Sequence, residues 1–364
     1  MSTAAQTAIA WTESGLVPDG VIRAGIRRLN RQRLVDIQVG DMERVAHRKS
    51  RFIKHMDVSE VAPVPQLANE QHYEVPADFF STVLGYHGKY SCAYWGEGVE
   101  TLDQAESEAL QITCERAGIS DGMDILDLGC GWGSLTLWMA RHYPNARIRS
   151  VSNSSSQGEW IRARASELGL ENIQVITEDM NQFDIQTRFD RVVSLEMFEH
   201  MRNYRELFRR VSQWLKPDGR FFMHIFCHRN SVYEFEDKGP SDWMGRHFFS
   251  GGIMPSADLP LHFQQNLILL QQHVWSGTHY EKTANAWLAN LDHDRDHVLA
   301  LMSSTYGAEH AVKWLQRWRI FFMACAELFG HNDGQEWFVS HYVFARASHE
   351  GAKHGSSGTG LATG

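Results

Sequence analysis

Cysteine is scarce: five residues in 364, at positions 92, 114, 130, 227 and 325, with no CxxC or CxxH spacing among them. An odd, unpaired set argues against a disulfide framework and a zinc cluster, and fits reduced thiols in a cytoplasmic protein. No apolar run approaches the roughly 18 residues of a membrane-spanning helix. Positive charge is also short, 35 Lys and Arg against 44 Asp and Glu, a net charge of −9. A chain that tracks phosphate backbones is normally basic, so nucleic acid is not the expected partner. The first 20 residues lack the charged and then apolar blocks of a secretory signal. The 19 histidines supply no spacing read as a metal site.

What is present is ordinary for a globular protein with a sizeable core: 43% apolar and 22% charged residues, with 12 Trp, 10 Tyr and 19 Phe. The length suggests two or three units, or one large domain with an insertion. Residues 1–20 are expected to be mobile. Residues 21–118 form an N-terminal helical region that opens on an arginine-rich stretch, IRAGIRRLNRQRL. That stretch reads as a solvated cationic face, with peripheral contact to acidic lipid as the alternative. Within this region, residues 57–70 carry two prolines and read as a connector.

From residue 119 to 228 short apolar runs alternate with helical stretches: DILDLG, LTLWMARHY, RIRSVS, IQVITED, FDRVVSLE and RFFMHIF. That rhythm predicts a doubly wound, mostly parallel α/β sheet, with ligands at the strand C-termini. Residues 229–330 break the rhythm and are expected to form a mostly helical cap. Residues 331–346 supply a final strand, and the Gly/Ser-rich residues 347–364 a disordered tail.

The most specific signal is ILDLGCGWG, residues 125–133. A buried strand ends in an acid and runs through three glycines into a helix. Glycine lets the backbone approach a ligand and adopt turns that a side chain blocks, and the helix start offers free N–H groups. The phosphate-loop pattern GxxxxGKS/T is absent, and the spacing differs from the dinucleotide GxGxxG. Asp127, Gly129, Gly131 and Gly133 resemble the S-adenosylmethionine (SAM) loop of class I methyltransferases. By that resemblance Asp179 bonds the adenine amine and Met180 packs on its face. The second strand ends without the usual acid for the ribose, which leaves Ser152, Asn153 and Gln157 as candidate contacts.

Longer segments narrow the resemblance. HYEVPADFFSTVLG, KYSCAYW, TLDQAESEAL, VVSLEMFEHMRNY, MHIFCHR, WSGTHYEKTANAWLANLD and GQEWFVSHYVFAR are together similar to the coclaurine N-methyltransferases and the related cyclopropane fatty acid synthases. The resemblance spans about residues 15–346. It implies a Rossmann-like class I fold with seven strands, SAM as cofactor, and contacts from Tyr90 and Ser91 to its methionine end. By analogy it also implies a homodimer.

EMFEH, residues 196–200, carries the chemistry. Glu196 and His200 are four apart, so a helical turn would put them on one face. A base can take the proton of an amine nucleophile, and a carboxylate steadies the cationic product. The resemblance assigns those roles to Glu196 and His200, with Glu199 in support. The cyclopropane synthases offer the rival chemistry, methylation of an alkene followed by proton loss to bicarbonate. Their bicarbonate pocket matches Cys92, Glu199, His224 and Tyr280, but they generally lack an acid at position 196. The expected function is SAM-dependent N-methylation of a small aromatic or cyclic amine. The alternative is modification of an unsaturated acyl chain.

Overall fold

The computed structural model describes residues 3–63, 75–236, 239 and 242–347. Its nine strands are β1 (Asp124–Leu128), β2 (Arg147–Ser152), β3 (Ile173–Thr177), β4 (Phe189–Leu195), β5 (Leu215–His228), β6 (Tyr233–Glu234), β7 (Ile253–Met254), β8 (Leu267–Trp275) and β9 (Trp337–Arg346). Seven of them make one sheet in the order β3-β2-β1-β4-β5-β9-β8. β1 to β5 run parallel, and β9 lies antiparallel between β5 and β8. β6 and β7 form a separate two-stranded ladder. The class I methyltransferase fold is therefore present, with its mostly parallel seven-stranded sheet.

β1 reads DILDL and is buried over four of its five residues, as a strand covered on both faces must be. Its neighbours are β2 and β4, so the strand order reverses there. Such a reversal opens a crevice at the strand C-termini. The glycine loop leaves β1 into that crevice, and EMFEH leaves β4 into it.

The helices have legible local causes. Thr101 and Gln104 form a reciprocal capping box ahead of helix Leu102–Ala117, which ends on left-handed Gly118. Helix Tyr204–Trp214 is capped by Asn203 and buries Tyr204, Leu207, Phe208, Val211 and Trp214 on one stripe. The cap is built from helices Gly277–His293, Arg295–Tyr306 and Ala308–Phe329. Helix Ala77–Val83 inserts Phe79 against Trp318, ring centroids 4.6 Å apart.

Two segments carry structure that the sequence reading did not specify. The first 20 residues contain helix Thr3–Glu13. Its Glu13 is buried and accepts hydrogen bonds from Trp243 Nε1 at 2.9 Å and Arg317 Nε at 3.0 Å. The cap stretch contributes β8, an edge strand of the main sheet. LILLQQHVW is rich in Leu and Gln, good helix formers, and pairing with β9 overrides that preference.

The arginine-rich helix Asp19–Asp36 lies on the cap. Arg23 and Arg27 both reach Glu327 at 3.0 Å, and Asn30 Nδ2 donates to the Glu327 carbonyl. Of the expected connector, residues 57–63 are described. Ala62 exchanges two hydrogen bonds with the Asn181 side chain, at 2.9 and 2.8 Å. Residues 64–70 lie outside the described residues, as does the tail beyond Ala347.

Candidate active site

Gly129, Gly131 and Gly133 all have positive φ, +73°, +53° and +82°. A Cβ on Gly129 would sit 2.6 Å from Met197 Cγ, so only glycine lets the two loops meet. The N–H groups of Gly129 and Cys130 both donate to the Val151 carbonyl, which ties the loop to β2. Gly133 caps helix Ser134–His142.

The loop borders an open cavity of about 750 Å³. Of the residues expected at the cofactor, Gly129, Gly131, Ser152, Asn153, Gln157, Asp179 and Met180 line it. Ser152 Oγ donates to Gln157 Oε1 at 2.7 Å. The buried Gln157 Nε2 has no hydrogen-bond partner among the described residues, an orphan donor in the cavity wall. Glycine-walled space, a helix start, two carboxylates at Glu178 and Asp179, and an unused amide fit the polar groups of SAM.

The remaining cofactor candidates sit elsewhere. Asp127 lies beneath the loop, outside the lining, and accepts from Thr136 Oγ1 at 2.7 Å. Burial pushes its carboxyl up to about 7. Gly133 and Ser91 are likewise absent from the lining. Ser91 accepts instead from the buried ammonium of Lys89, at 2.7 Å. Tyr90 faces a second cavity. Sequence reasoning missed Ala62, Glu178, Met201, Ser250 and Gly251 in the first cavity. Glu178 adjoins a predicted residue, whereas Ser250 and Gly251 reach the site only through the folding of the cap.

The second cavity, about 790 Å³, is walled by Phe226, Phe235, Met244, Phe249, Met254, Trp287, Phe321, Leu328 and Phe329, with Tyr90, Tyr280 and Cys325. The cap stretch supplies Phe249, Trp287 and Phe329 to this wall. Two residues line both cavities, Glu196 and His200.

EMFEH is not an α-helical turn, and Glu196 and His200 come to the same wall by another route. Glu196 has φ +49°, and only Phe198–His200 form a short 3-10 turn. The left-handed residue turns the carboxylate back toward the sheet. Glu196 Oε1 accepts from the Cys92 N–H at 2.9 Å and from His224 Nε2 at 3.1 Å, and Oε2 accepts from the Tyr280 hydroxyl at 2.7 Å. Burial alone would raise this carboxyl. The His224 hydrogen bond, the Lys89 charge and the Cys92 N–H outweigh burial and hold it below its ordinary range. Lys89 also donates to the Cys92 carbonyl at 2.5 Å.

Glu199 behaves in the opposite way. Its Oε1 accepts from the Phe226 N–H at 2.7 Å, and Oε2 has no partner among the described residues. Burial, then repulsion from Glu196, raises its carboxyl well above the ordinary range, so it is the neutral acid of the pair. His200 is pushed down to about 4 by burial and is neutral at pH 7. Cys92 contributes its backbone N–H. Its thiol is raised by burial and points at the Ala93 carbonyl.

The arrangement joins a cofactor-shaped cavity to an apolar one across an ionised carboxylate and a neutral imidazole. The sequence model of the mycolic acid cyclopropane synthetase family matches residues 65–337. The chain belongs to that family. It is 34% identical to an (S)-coclaurine N-methyltransferase of Thalictrum flavum subsp. glaucum, over 92% of this chain and 94% of that protein. A cyclopropane-fatty-acyl-phospholipid synthase of Escherichia coli (strain K12) is 28% identical over 79% of this chain and 70% of that protein. The crystal structure of a coclaurine N-methyltransferase bound to N-methylheliamine and SAH superposes with a TM-score of 0.91. Its identity is 34%, and the match covers 94% of this chain and all of that one. The chain is thus a SAM-dependent methyltransferase, and SAM is its cofactor. No helix among the described residues is long and apolar enough to cross a membrane.

Proposed function

We propose that this enzyme methylates the nitrogen of a small aromatic or cyclic amine. The supporting observation is Glu196, an ionised carboxylate on the wall shared by both cavities. Bound SAM supplies an electrophilic methyl group on a sulfonium sulfur. The residues lining the first cavity hold it, with Asp179 and Met180 toward the adenine and Ser152, Asn153 and Gln157 toward the ribose.

The acceptor cavity has aromatic walls and, Glu196 and His200 apart, no charged or imidazole lining residue. It suits a flat apolar ring and offers nothing to a phosphate or carboxylate. An amine in water near pH 7 is largely an ammonium, which has no lone pair to give. Glu196 attracts that cation, and the unprotonated ring of His200 is placed to receive its proton, so that the carboxylate stays ionised. The product ammonium then meets the same carboxylate. Phe226, Phe249 and Trp287 give the acceptor side an apolar lining, beside which the carboxylate acts strongly on charge.

The acyl-chain reading has in its favour the family match and the presence of Cys92, Glu199, His224 and Tyr280. The donors of that set are already in use, however. The Cys92 N–H, His224 Nε2 and the Tyr280 hydroxyl are satisfied by the Glu196 carboxylate, where a bicarbonate anion would need them. The buried cysteines at 92, 114, 130 and 227, all free thiols, fit the reducing cytoplasm in which we place the enzyme.

The test is incubation with methyl-labelled SAM and either a panel of cyclic and aromatic amines or vesicles of unsaturated phospholipid. Label is expected in an amine, with kcat/KM falling about 10²–10⁴-fold in Glu196→Gln. A one-methylene gain in acyl chains, with every amine unlabelled, would overturn the proposal.

A further inference from the structure

Behind Glu196 lies a chain of side chains outside both cavity linings. His224 Nε2 meets Glu196 Oε1 at 3.1 Å. The other ring nitrogen of His224, Nδ1, faces His341 Nε2 at 3.0 Å. His341 Nδ1 in turn faces Arg116 Nη1 at 2.9 Å. Both histidines are fully buried, on β5 and β9, and Arg116 reaches them from the last turn of helix Leu102–Ala117. Trp275 covers the chain: its ring lies 4.3 Å from His341 and 5.5 Å from His224, with the Arg116 guanidinium 5.5 Å over it.

The hydrogen-bond chemistry of this chain has a direction. A guanidinium has five donors and no acceptor, and it does not give up its proton in a protein. His341 Nδ1 must therefore offer a lone pair to Arg116. In a neutral ring the proton is then on Nε2, which donates to His224 Nδ1. By the same step the proton of His224 is on Nε2 and donates to Glu196. Burial and the adjacent cation keep both rings neutral. Each tautomer follows from the one behind it, and the series starts at a group that can only donate.

We infer that Arg116 is a positioning residue for methyl transfer, acting through His341 and His224 to present Glu196 with a fixed donor. The carboxylate then meets an N–H at every moment and is held as the ionised acceptor. The chain also ends on a cation that accepts nothing, so it cannot carry the amine's proton to solvent. It polarises the site and does not drain it. This rests on the amine reading above only in the role given to Glu196; the tautomers follow from geometry alone.

Other charged groups bear on the same site. Lys89 and the Cys92 N–H face Glu196 from the loop before helix Leu102–Ala117, Tyr280 from the cap, and Glu199 and His200 from its own loop. His273 on β8 and Lys89 face His341. Lys89 remains in place in the variants below, so part of the effect on Glu196 persists. Without Arg116 the two rings are free to reverse, which turns a His224 lone pair toward Glu196 and favours its protonated form.

The test uses the full-length protein in two readouts. The first is the ring-nitrogen spectrum of 15N-histidine-labelled protein, with His224→Gln and His341→Gln for assignment. Both rings are expected as Nε2–H tautomers, and Arg116→Met is expected to lose that fixed pattern. The second is the pH profile of kcat/KM with an amine the wild type methylates. In Arg116→Met and His341→Leu the acidic limb should move up by about one pH unit, a roughly tenfold loss on that limb. Arg116→Lys, again a donor without an acceptor, should restore most of it. SAH affinity should stay within about twofold, because none of the three residues lines the cofactor cavity. An Nδ1–H tautomer at His224, or an acidic limb unmoved in both variants, overturns the inference. If no amine is methylated, the proposed function fails while the spectrum still decides the tautomer chain.

Discussion

Glu196 and Glu199 are three residues apart and titrate in opposite directions. One accepts three hydrogen bonds and stays ionised; the other is buried with one oxygen unpaired and stays protonated. Their amide substitutions should differ accordingly. Glu199→Gln replaces an acid that is already neutral and keeps an oxygen for the Phe226 N–H. Its kcat/KM is expected within about threefold of wild type, against the large loss at Glu196, when both are assayed on the same amine. Asp127 gives a second residue-scale prediction. Its native carboxyl, raised to about 7, binds a proton that the unfolded chain has released above its ordinary 3.8. The stability tied to that proton is present below pH 3.8 and is lost as pH rises through 7. Asp127→Asn is neutral at every pH. Its melting temperature relative to wild type should rise from pH 5 to pH 8; a constant difference would sink the assignment. The residue types of this site were readable in the sequence, and their geometry was not. The spacing of EMFEH suggests a helix, but a single positive φ at Glu196 sets the direction of its carboxylate. The partners of that carboxylate come from positions 92, 224 and 280, too distant in sequence for any local pattern to join them.

At the scale of elements, the glycine loop was legible because its cause is local. Three positive-φ glycines between a buried strand and a helix need no tertiary information. Gly129→Ala should weaken SAH binding by about tenfold or more, since the left-handed conformation costs about 1–2 kcal/mol and the new methyl displaces Met197 beside Glu196. Calorimetric titration with SAH measures it. Thr101→Ala is the contrasting case. It removes a capping box remote from both cavities and should cost about 1 kcal/mol of stability, with kcat and KM unchanged. β8 was illegible for the opposite reason. An edge strand shows no clean alternation, and its Leu and Gln content argues for a helix until β9 is beside it. Lys89 lay within the KYSCAYW segment, yet no pattern separates a lysine that turns inward from one on the surface.

Over the whole molecule, helices Thr3–Glu13 and Asp19–Asp36 pack against the cap. Glu13 ties the first helix to the cap, reached by Trp243 and Arg317, and by Lys313 at 3.3 Å. Glu13→Gln leaves the largely buried Arg317 without its counter-charge, at a cost of about 3 kcal/mol. The expected result is a lower melting temperature and faster proteolysis near the N-terminus. Helix Trp243–His247 ends two residues before Phe249 and three before Ser250, so the KM of the acceptor should rise as well. An unchanged melting temperature would show that the contacts of Glu13 contribute nothing to stability.

The two cavities take their walls from different stretches of chain. Residues 62–201, with Ser250 and Gly251, enclose the cofactor side, while most of the acceptor wall comes from residues 226–329. The shared wall is two side chains wide. Changes in the cap away from Ser250 and Gly251 can therefore remodel what the enzyme recognises while the methyl-donating half stays untouched. Such a layout lets one chemistry be passed among unlike acceptors by replacing a single face, and it makes the cap the place to begin when redirecting the enzyme to a new amine.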